Sequence, residues 1–225
     1  MFSWLRRKPP PLSEEGRRVL DALRAYPPYI PPIWDPGKPF ADSVAEYQAF
    51  FFANKDLRIE ALRAFVAKFG VALTVDEDGL RAISAWCPAY ADLLVDGLES
   101  DAVTFAYQDF EPSWTGPLLG LNPIFDLGIY FGECILSHNP KLKWEPVRAP
   151  DASSVVHNII FGRRFFALFD PVWWTYTQCN NIRSDKLAKA RRLPAYPATG
   201  SLGESRIFHH IEWQAMKLCG KKPKT

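Results

Sequence analysis

The sequence predicts an α+β fold, in which a helical N-terminal half is followed by a small, mostly antiparallel sheet packed against helices. Two observations predict it: apolar residues recur at helical spacing through residues 1–100, and apolar and polar residues alternate in short segments after residue 101. The chain has 225 residues, 48% of them hydrophobic, which is enough to bury one sizeable core. We therefore expect a single domain over 1–225, with a helical portion (1–100) and a sheet-plus-helix portion (101–225).

Helical signals follow one another through the N-terminal half. Ser13, followed by two glutamates, is typical of a capped helix start. The proline-rich residues 27–39 cannot form a helix, and their aromatic side chains predict an extended strap against the body of the protein. Two helices are expected within 42–70. A capping-box pattern that begins at Thr74 predicts the next helix, and Pro88 is expected to begin a further short one.

The second half of the chain carries the signals for strands. Alternation of apolar and polar side chains predicts strands over 103–107 and 141–145. Two apolar runs on either side of Gly162 predict a hairpin over 155–169.

Helices are predicted between and after these strands. Asn122-Pro123 and Asp170-Pro171 each combine a capping side chain with a proline at the first helical position, which predicts helices toward His138 and Arg192. A last amphipathic helix is expected over 207–218.

The predicted helix that begins near Asn122 contains an unusual pair of glycines. Gly128 and Gly132 lie on one helix face, where each costs about 1 kcal/mol relative to alanine, so we expect another backbone to approach closely. Tyr130 and Glu133 belong to a polar stripe beside this face. If Glu133 is buried it needs a partner, and the arginines at 163–164 are the candidates for a structural ion pair.

These residues carry a resemblance. The pattern Gly128-x-Tyr130-x-Gly132-Glu133, followed by Trp144-Glu145 and by Asp170-Pro171, resembles an uncharacterised family of bacterial proteins. Members of that family are similar in organisation to proteins encoded beside toxin or secretion genes, including immunity proteins. The resemblance covers about residues 122–175 and implies a small cytosolic binding protein without catalytic residues.

Signals for an enzyme are few. The four histidines and four cysteines do not have the spacing of a zinc site, and no nucleophile elbow, phosphate loop or dinucleotide fingerprint is present. No metal and no cofactor is therefore expected. A hydrolase or transferase site assembled from Glu133, His157 and Cys179 is the alternative, although a cysteine in an apolar helix is more often an inert buried thiol. The residues leave the question of an enzyme open and favour a negative answer.

A basic cluster and a tryptophan pair are the candidate binding features. The five cations of the cluster could meet an acidic protein surface, such as that of a toxin or effector, or could simply be solvated at a helix end. They are Arg183, Lys186, Lys189, Arg191 and Arg192. Trp173 and Trp174, with Tyr130, could line a ligand pocket, against the alternative that they pack in the core. A formal net charge of +2 argues against a dedicated nucleic-acid binder.

The compartment expected from the sequence is the cytoplasm. The N-terminal residues do not have the order of a signal peptide, and no run reaches the roughly 20 apolar residues of a membrane span. Residues 1–8 combine aromatic and basic side chains and could touch an anionic membrane surface, although a frayed or docked terminus is the simpler interpretation. The leading hypothesis is a non-enzymatic bacterial protein that binds another protein, as an immunity or chaperone-like partner of a toxin.

Overall fold

The structure is a computed structural model, and it describes residues 12–32, 37–95, 114–146, 158–162 and 167–191. Most of these residues are helical. The helices are α1 (Glu14–Arg24), α2 (Phe40–Ala67), α3 (Glu77–Tyr90), α4 (Leu121–His138) and α5 (Pro171–Arg191), with short 3-10 turns at Ala91–Val95 and Gly116–Leu118. The strands are β1 (Lys143–Pro146), β2 (Asn158–Gly162) and β3 (Ala167–Phe169).

The predicted α+β class is wrong, because the described part of the chain is mostly helical. The strands have only four, five and three residues and pair antiparallel in the order β1-β2-β3. The register places Trp144 opposite Ile160, and Ile160 opposite Phe169. So small a ladder cannot form a layer that covers helices. The predicted strand at 103–107 and the predicted helix at 207–218 lie outside the described residues.

Helix α4 forms the centre of the core. It packs against α2 and α5, and its residues from Leu121 through Gly132 are all buried. A helix that is buried around its whole circumference needs neighbours on every side, and here α2, α5 and the 3-10 turn at Ala91–Val95 supply most of them. The stretch Gly116–His138 is long and apolar enough to cross a membrane, but 83% of its most apolar window is buried inside the protein. This burial identifies α4 as a core helix.

Helix α2 is a single helix of 28 residues where two were predicted. No glycine or proline interrupts Phe40–Ala67, and the apolar spacing of the two predicted helices continues in phase through Ile59 and Leu62. Gly70, with a φ of 77°, follows the helix end, as expected for a residue in the left-handed region. No residue in this segment therefore marks an end of one helix and a start of another.

Two capping predictions differ from the structure. Asp76, not Thr74, caps α3: its Oδ1 accepts from the Gly79 amide at 2.9 Å and from the Thr74 hydroxyl at 2.6 Å. Helix α3 then continues through Pro88 to Tyr90. Asn122 lies within the first turn of α4, and its side chain binds other parts of the chain.

The two glycines of α4 are sites of close approach, at Gly128 by another backbone, as predicted, and at Gly132 by a side chain instead. A Cβ on Gly128 would lie 2.5 Å from the Cα of Val172 in α5, and a Cβ on Gly132 would lie 2.1 Å from the Trp144 ring. Both distances are too short for any real side chain. Gly128 lets the α5 backbone lie against α4, and Gly132 makes room for the indole of β1.

We predict that Gly128→Ala destabilises the protein by about 1–3 kcal/mol, although alanine is the better helix former, because the added methyl overlaps the α5 backbone. Urea unfolding followed by circular dichroism measures this change. Ser137→Ala, at an exposed position of the same helix, is the control and should change the free energy of unfolding by less than about 0.5 kcal/mol. Equal stability of Gly128→Ala and the wild type would contradict the close packing.

Candidate functional site

A buried ion pair joins α2 to α4. The side chain of Asp126 is fully buried and that of Arg58 nearly so. The Arg58 guanidinium donates to the carboxylate twice, from Nε to Oδ1 and from Nη2 to Oδ2, each at 2.8 Å. This two-point geometry is the strongest arrangement available to the two groups.

The same guanidinium holds the strap, of which residues 27–32 and 37–39 are described. Arg58 Nη2 donates to the Pro27 carbonyl at 2.9 Å, and Nη1 donates to the Pro28 carbonyl at 3.1 Å. The Tyr29 amide donates to Asn122 Oδ1 at 2.7 Å. The strap therefore lies against the body of the protein, as its aromatic residues predicted, and α2 and α4 both fix it.

Two tyrosines complete the surroundings of the pair. The Tyr26 hydroxyl donates to Asp126 Oδ2 at 2.5 Å. The Arg58 guanidinium carbon lies 5.8 Å from the Tyr26 ring centre and 5.7 Å from that of Tyr29, within the range of a cation–π contact. The buried cation thus has carbonyls, a carboxylate and two aromatic rings around it.

The electrostatics of the pair are set by burial. Burial raises the pKa of Asp126 to about 6, while the Arg58 guanidinium and the Tyr26 hydrogen bond act in the opposite direction. Burial also raises the pKa of Tyr26 well above its ordinary value, so its hydroxyl keeps its proton. The carboxylate is fully buried and all its hydrogen-bond donors, from Arg58 and Tyr26, belong to the fold, which suits a tether and not a group that exchanges protons with a substrate.

Glu133 is also engaged in the structure. Its Oε1 accepts from the Trp144 indole at 2.7 Å, and its Oε2 lies 3.2 Å from the Lys55 ammonium. The predicted partners, Arg163 and Arg164, lie outside the described residues. The expectation that Glu133 is partly buried and paired agrees with the structure, but Lys55 of α2 supplies the cation. Sequence spacing could not show this, since 78 positions separate the two residues.

The remaining members of the alternative catalytic set are not assembled in the described structure. Cys179 is buried, and burial raises the pKa of its thiol well above the ordinary value. A protonated, inaccessible thiol is a poor nucleophile. His157 lies outside the described residues. Tyr130 is also buried, and its hydroxyl donates to the Thr74 carbonyl at 2.8 Å.

The tryptophan pair diverges from one helix turn. Trp174 is half-buried and packs against Phe131 and Phe169 of the core, with ring centres 5.6 and 6.2 Å away. Trp173 is 39% exposed, and its ring centre lies 5.6 Å from that of Tyr176, with the two rings tilted by 38°. Tyr130 is buried elsewhere along α4, so the three residues do not present one common exposed surface.

The basic cluster is only partly available for binding. The Lys186 ammonium lies 2.6 Å from Asp92 Oδ1 and also donates to the Ala89 carbonyl. Arg183 is half-buried. Lys189 and Arg191 lie in the last turns of α5, and Arg192 follows outside the described residues. At least one of the five cations therefore holds α5 to the 3-10 turn at Ala91–Val95.

One exposed surface was not singled out from the sequence. Of the α2 residues whose burial the structure describes, twelve are exposed, and we call them the α2 outer face: six alanines, two large apolar residues and four acidic ones. They are Ala41, Asp42, Ala45, Glu46, Ala49, Phe52, Ala53, Asp56, Leu57, Glu60, Ala64 and Ala67. Phe52 and Leu57 are 45% and 65% exposed. In the sequence, this face is marked by alanine at every fourth position from 41 to 53, beside two large apolar side chains.

The described residues contain no group of three or more His, Cys, Asp or Glu that could hold a metal ion. No family model, curated protein or solved structure matches this chain. The resemblance to immunity-type proteins therefore stays a prediction.

We predict that Arg58→Met costs about 3–5 kcal/mol of stability at pH 8 and less at pH 5. The folded pKa of Asp126 is raised, so its contribution to stability is largest below pH 4 and decreases as the pH rises through about 6. Without Arg58 that pKa rises further, and the loss continues above pH 6. Melting temperatures of both proteins between pH 5 and 8 measure the difference.

The control for this prediction is Arg81→Met, which removes an exposed ion pair with Glu77. It should change stability by less than about 1 kcal/mol at every pH. A cost of Arg58→Met that does not increase with pH would contradict the ionised pair.

We predict that Glu133→Gln lowers stability by about 1–2 kcal/mol, because the amide still accepts from Trp144 but no longer balances the charge of Lys55. Lys55→Met should cost a similar amount, and the double variant should cost less than the sum of the two. Thermal unfolding of the four proteins completes the cycle. Strict additivity would show that the Glu133–Lys55 contact contributes nothing.

Proposed function

We propose that this chain is a non-enzymatic protein that binds another protein, as an immunity or chaperone-like partner that neutralises or holds a toxin or effector. The observation that carries the proposal is the α2 outer face, where Phe52 and Leu57 are exposed on a long helix of the folded domain. The two side chains lie five residues apart, about 140° around the helix, so a partner that lies across the alanines between them can contact both.

The interior supports the same conclusion. The polar and ionisable groups that would be candidates for chemistry are used to hold the fold: Arg58 with Asp126, Glu133 with Lys55 and Trp144, and Tyr130 with the Thr74 carbonyl. A hydrolase or transferase based on Glu133, His157 and Cys179 is the weaker candidate, because the Cys179 thiol is buried.

The proposed place of action is the bacterial cytoplasm. The one apolar helix of membrane-spanning length among the described residues is mostly buried in the core. The acidic partner expected for the α5 cations also stays a prediction, and the use of Lys186 by Asp92 leaves that cluster smaller than its sequence suggests.

We expect the purified chain to form a stoichiometric complex with one protein encoded next to it in the native genome. Each neighbouring gene product is co-expressed with the tagged chain, and the complexes are isolated by affinity and size-exclusion chromatography. For a toxic neighbour, co-expression should also restore growth of the host cells. An unrelated helical protein with the same tag is the control.

The contrary result is equally specific. If no neighbouring product forms a stable complex, and the chain turns over ester, phosphoester or glycoside substrates in a way that Glu133→Gln abolishes without loss of folding, the enzyme alternative replaces the binding proposal.

A further inference from the structure

We propose that the groove between α2 and α4, which the strap now fills, is a binding site for extended segments that carry an aromatic residue among prolines. The strap is its intramolecular occupant, and a segment of the same kind from another protein takes its place. This site goes beyond the proposed function, because it uses none of the residues of the α2 outer face. Three features support it: how the strap is held, how the groove side chains are oriented, and how little backbone pairing the strap has.

The strap contacts the groove as a bound peptide does. Along residues 28–32 the side chains alternate, so that Tyr29 and Pro31 are buried and the residues beside them are exposed. The groove also holds the backbone, since Arg58 donates to two strap carbonyls and Asn122 accepts from the Tyr29 amide. Extended peptides are recognised in this way, by hydrogen bonds to the main chain and by pockets for alternate side chains.

The pocket for Tyr29 is aromatic. Its ring centre lies 4.2 Å from that of Phe125, 5.6 Å from that of Phe50 and 6.0 Å from that of Trp114. The Tyr29 hydroxyl lies 3.4 Å from the Tyr47 hydroxyl, which is long for a hydrogen bond, so the ring is the main anchor. Grooves lined by aromatic side chains suit proline-rich segments, because such segments are already extended before they bind.

The groove side chains are oriented without help from the strap. Asn122 Nδ2 donates to the Trp114 and Leu119 carbonyls at 2.9 and 3.0 Å, which leaves Oδ1 directed toward the strap. Arg58 is fixed by its two hydrogen bonds to Asp126. Groups that are fixed in advance lose little conformational freedom when a segment binds, so the groove is equally prepared for the strap and for a substitute.

The strap can leave the groove without loss of backbone pairing. Among the described residues, no backbone–backbone hydrogen bond involves residues 27–32. Four of these six residues are prolines, which have no amide proton to donate. Departure of the strap uncovers the aromatic walls of the pocket, which is unfavourable in water. The groove therefore favours exchange of the strap for another aromatic segment over an empty state.

The test uses the full chain and a peptide with the sequence of residues 27–32, which carries fluorescein on a flexible C-terminal linker. In the wild type the strap competes at a local concentration on the order of millimolar, so binding should be weak. Tyr29→Ala in the chain removes the strap's anchor and should tighten binding of the peptide by about tenfold or more, as measured by fluorescence anisotropy. Ile30→Ala, at the neighbouring position that is 57% exposed, is the matched control and should bind like the wild type.

Two further peptides define the recognised chemistry. The peptide with Tyr29→Ala should not bind the Tyr29→Ala chain. A peptide with alanine at its four proline positions should bind about tenfold more weakly, because it loses more conformational freedom on becoming extended. Equal binding of the peptides with and without tyrosine, or a Tyr29→Ala chain that binds no more tightly than the wild type, overturns the inference.

Hydrogen exchange of the wild type gives a test that needs no variant. If the strap leaves while the rest of the chain stays folded, the Tyr29 amide exchanges through a local opening. It should then exchange about a hundredfold faster than the slowest amides of α4, after correction for intrinsic rates. Exchange of both at one rate would mean that the strap leaves only on global unfolding, and would overturn the inference even if the Tyr29→Ala chain does not fold.

Light scattering identifies the source of the substitute segment. A monomeric wild type, together with the expected peptide binding, supports a segment from another protein. A wild-type dimer that Tyr29→Ala converts into monomers would assign the groove to the strap of a second copy of the chain, and would overturn the segment from another protein.

Discussion

The guanidinium of Arg58 meets the carboxylate of Asp126 in the interior, and between them they fix three separate parts of the chain. Removing both charges from water costs several kcal/mol for each ion, and only dense pairing offsets this cost. Here the carboxylate accepts from Arg58 twice and from Tyr26 once, and the guanidinium also binds two strap carbonyls. A segment so rich in proline, which lacks the amide proton, does not pair in a backbone ladder. Its carbonyl oxygens therefore need another donor, and Arg58 supplies it.

The pair also determines what can pack around α4. With Asp126 satisfied from the α2 side, the rest of that helix is free to be apolar or small, and Gly128 and Gly132 bring α5 and Trp144 into contact with it. Trp144 in turn donates its indole proton to Glu133, and this hydrogen bond attaches the short strand β1 to α4. The small sheet is therefore attached to a helical core and does not organise it.

Local signals in the sequence predicted local features well. The spacing of Gly128 and Gly132 predicted a close approach, and Asp170 accepts from the Trp173 amide as a capping residue should. The fold class failed because alternation predicts strands without showing how many residues join a ladder. The sequence did not pair Asp126 with Arg58, since the two residues lie 68 positions apart and nothing in either segment points to the other.

The basic side chains of α2 connect the buried core to the surface of that helix. The helix has three basic residues, and each is directed to another part of the protein: Lys55 to Glu133 of α4, Arg58 to Asp126 and the strap, and Arg63 to the Leu73 carbonyl. Lys55 also lies 2.8 Å from Asp56, and Arg63 also pairs with Glu60, so these two cations balance acidic side chains at the surface of the helix as well. Lys38, which precedes the helix, pairs with Glu46 in the same way. The α2 outer face is therefore largely charge-balanced, and its distinguishing property is the exposed apolar surface of Phe52 and Leu57. Burial of these two side chains against a partner would remove apolar surface from water, which is the favourable term in such an association.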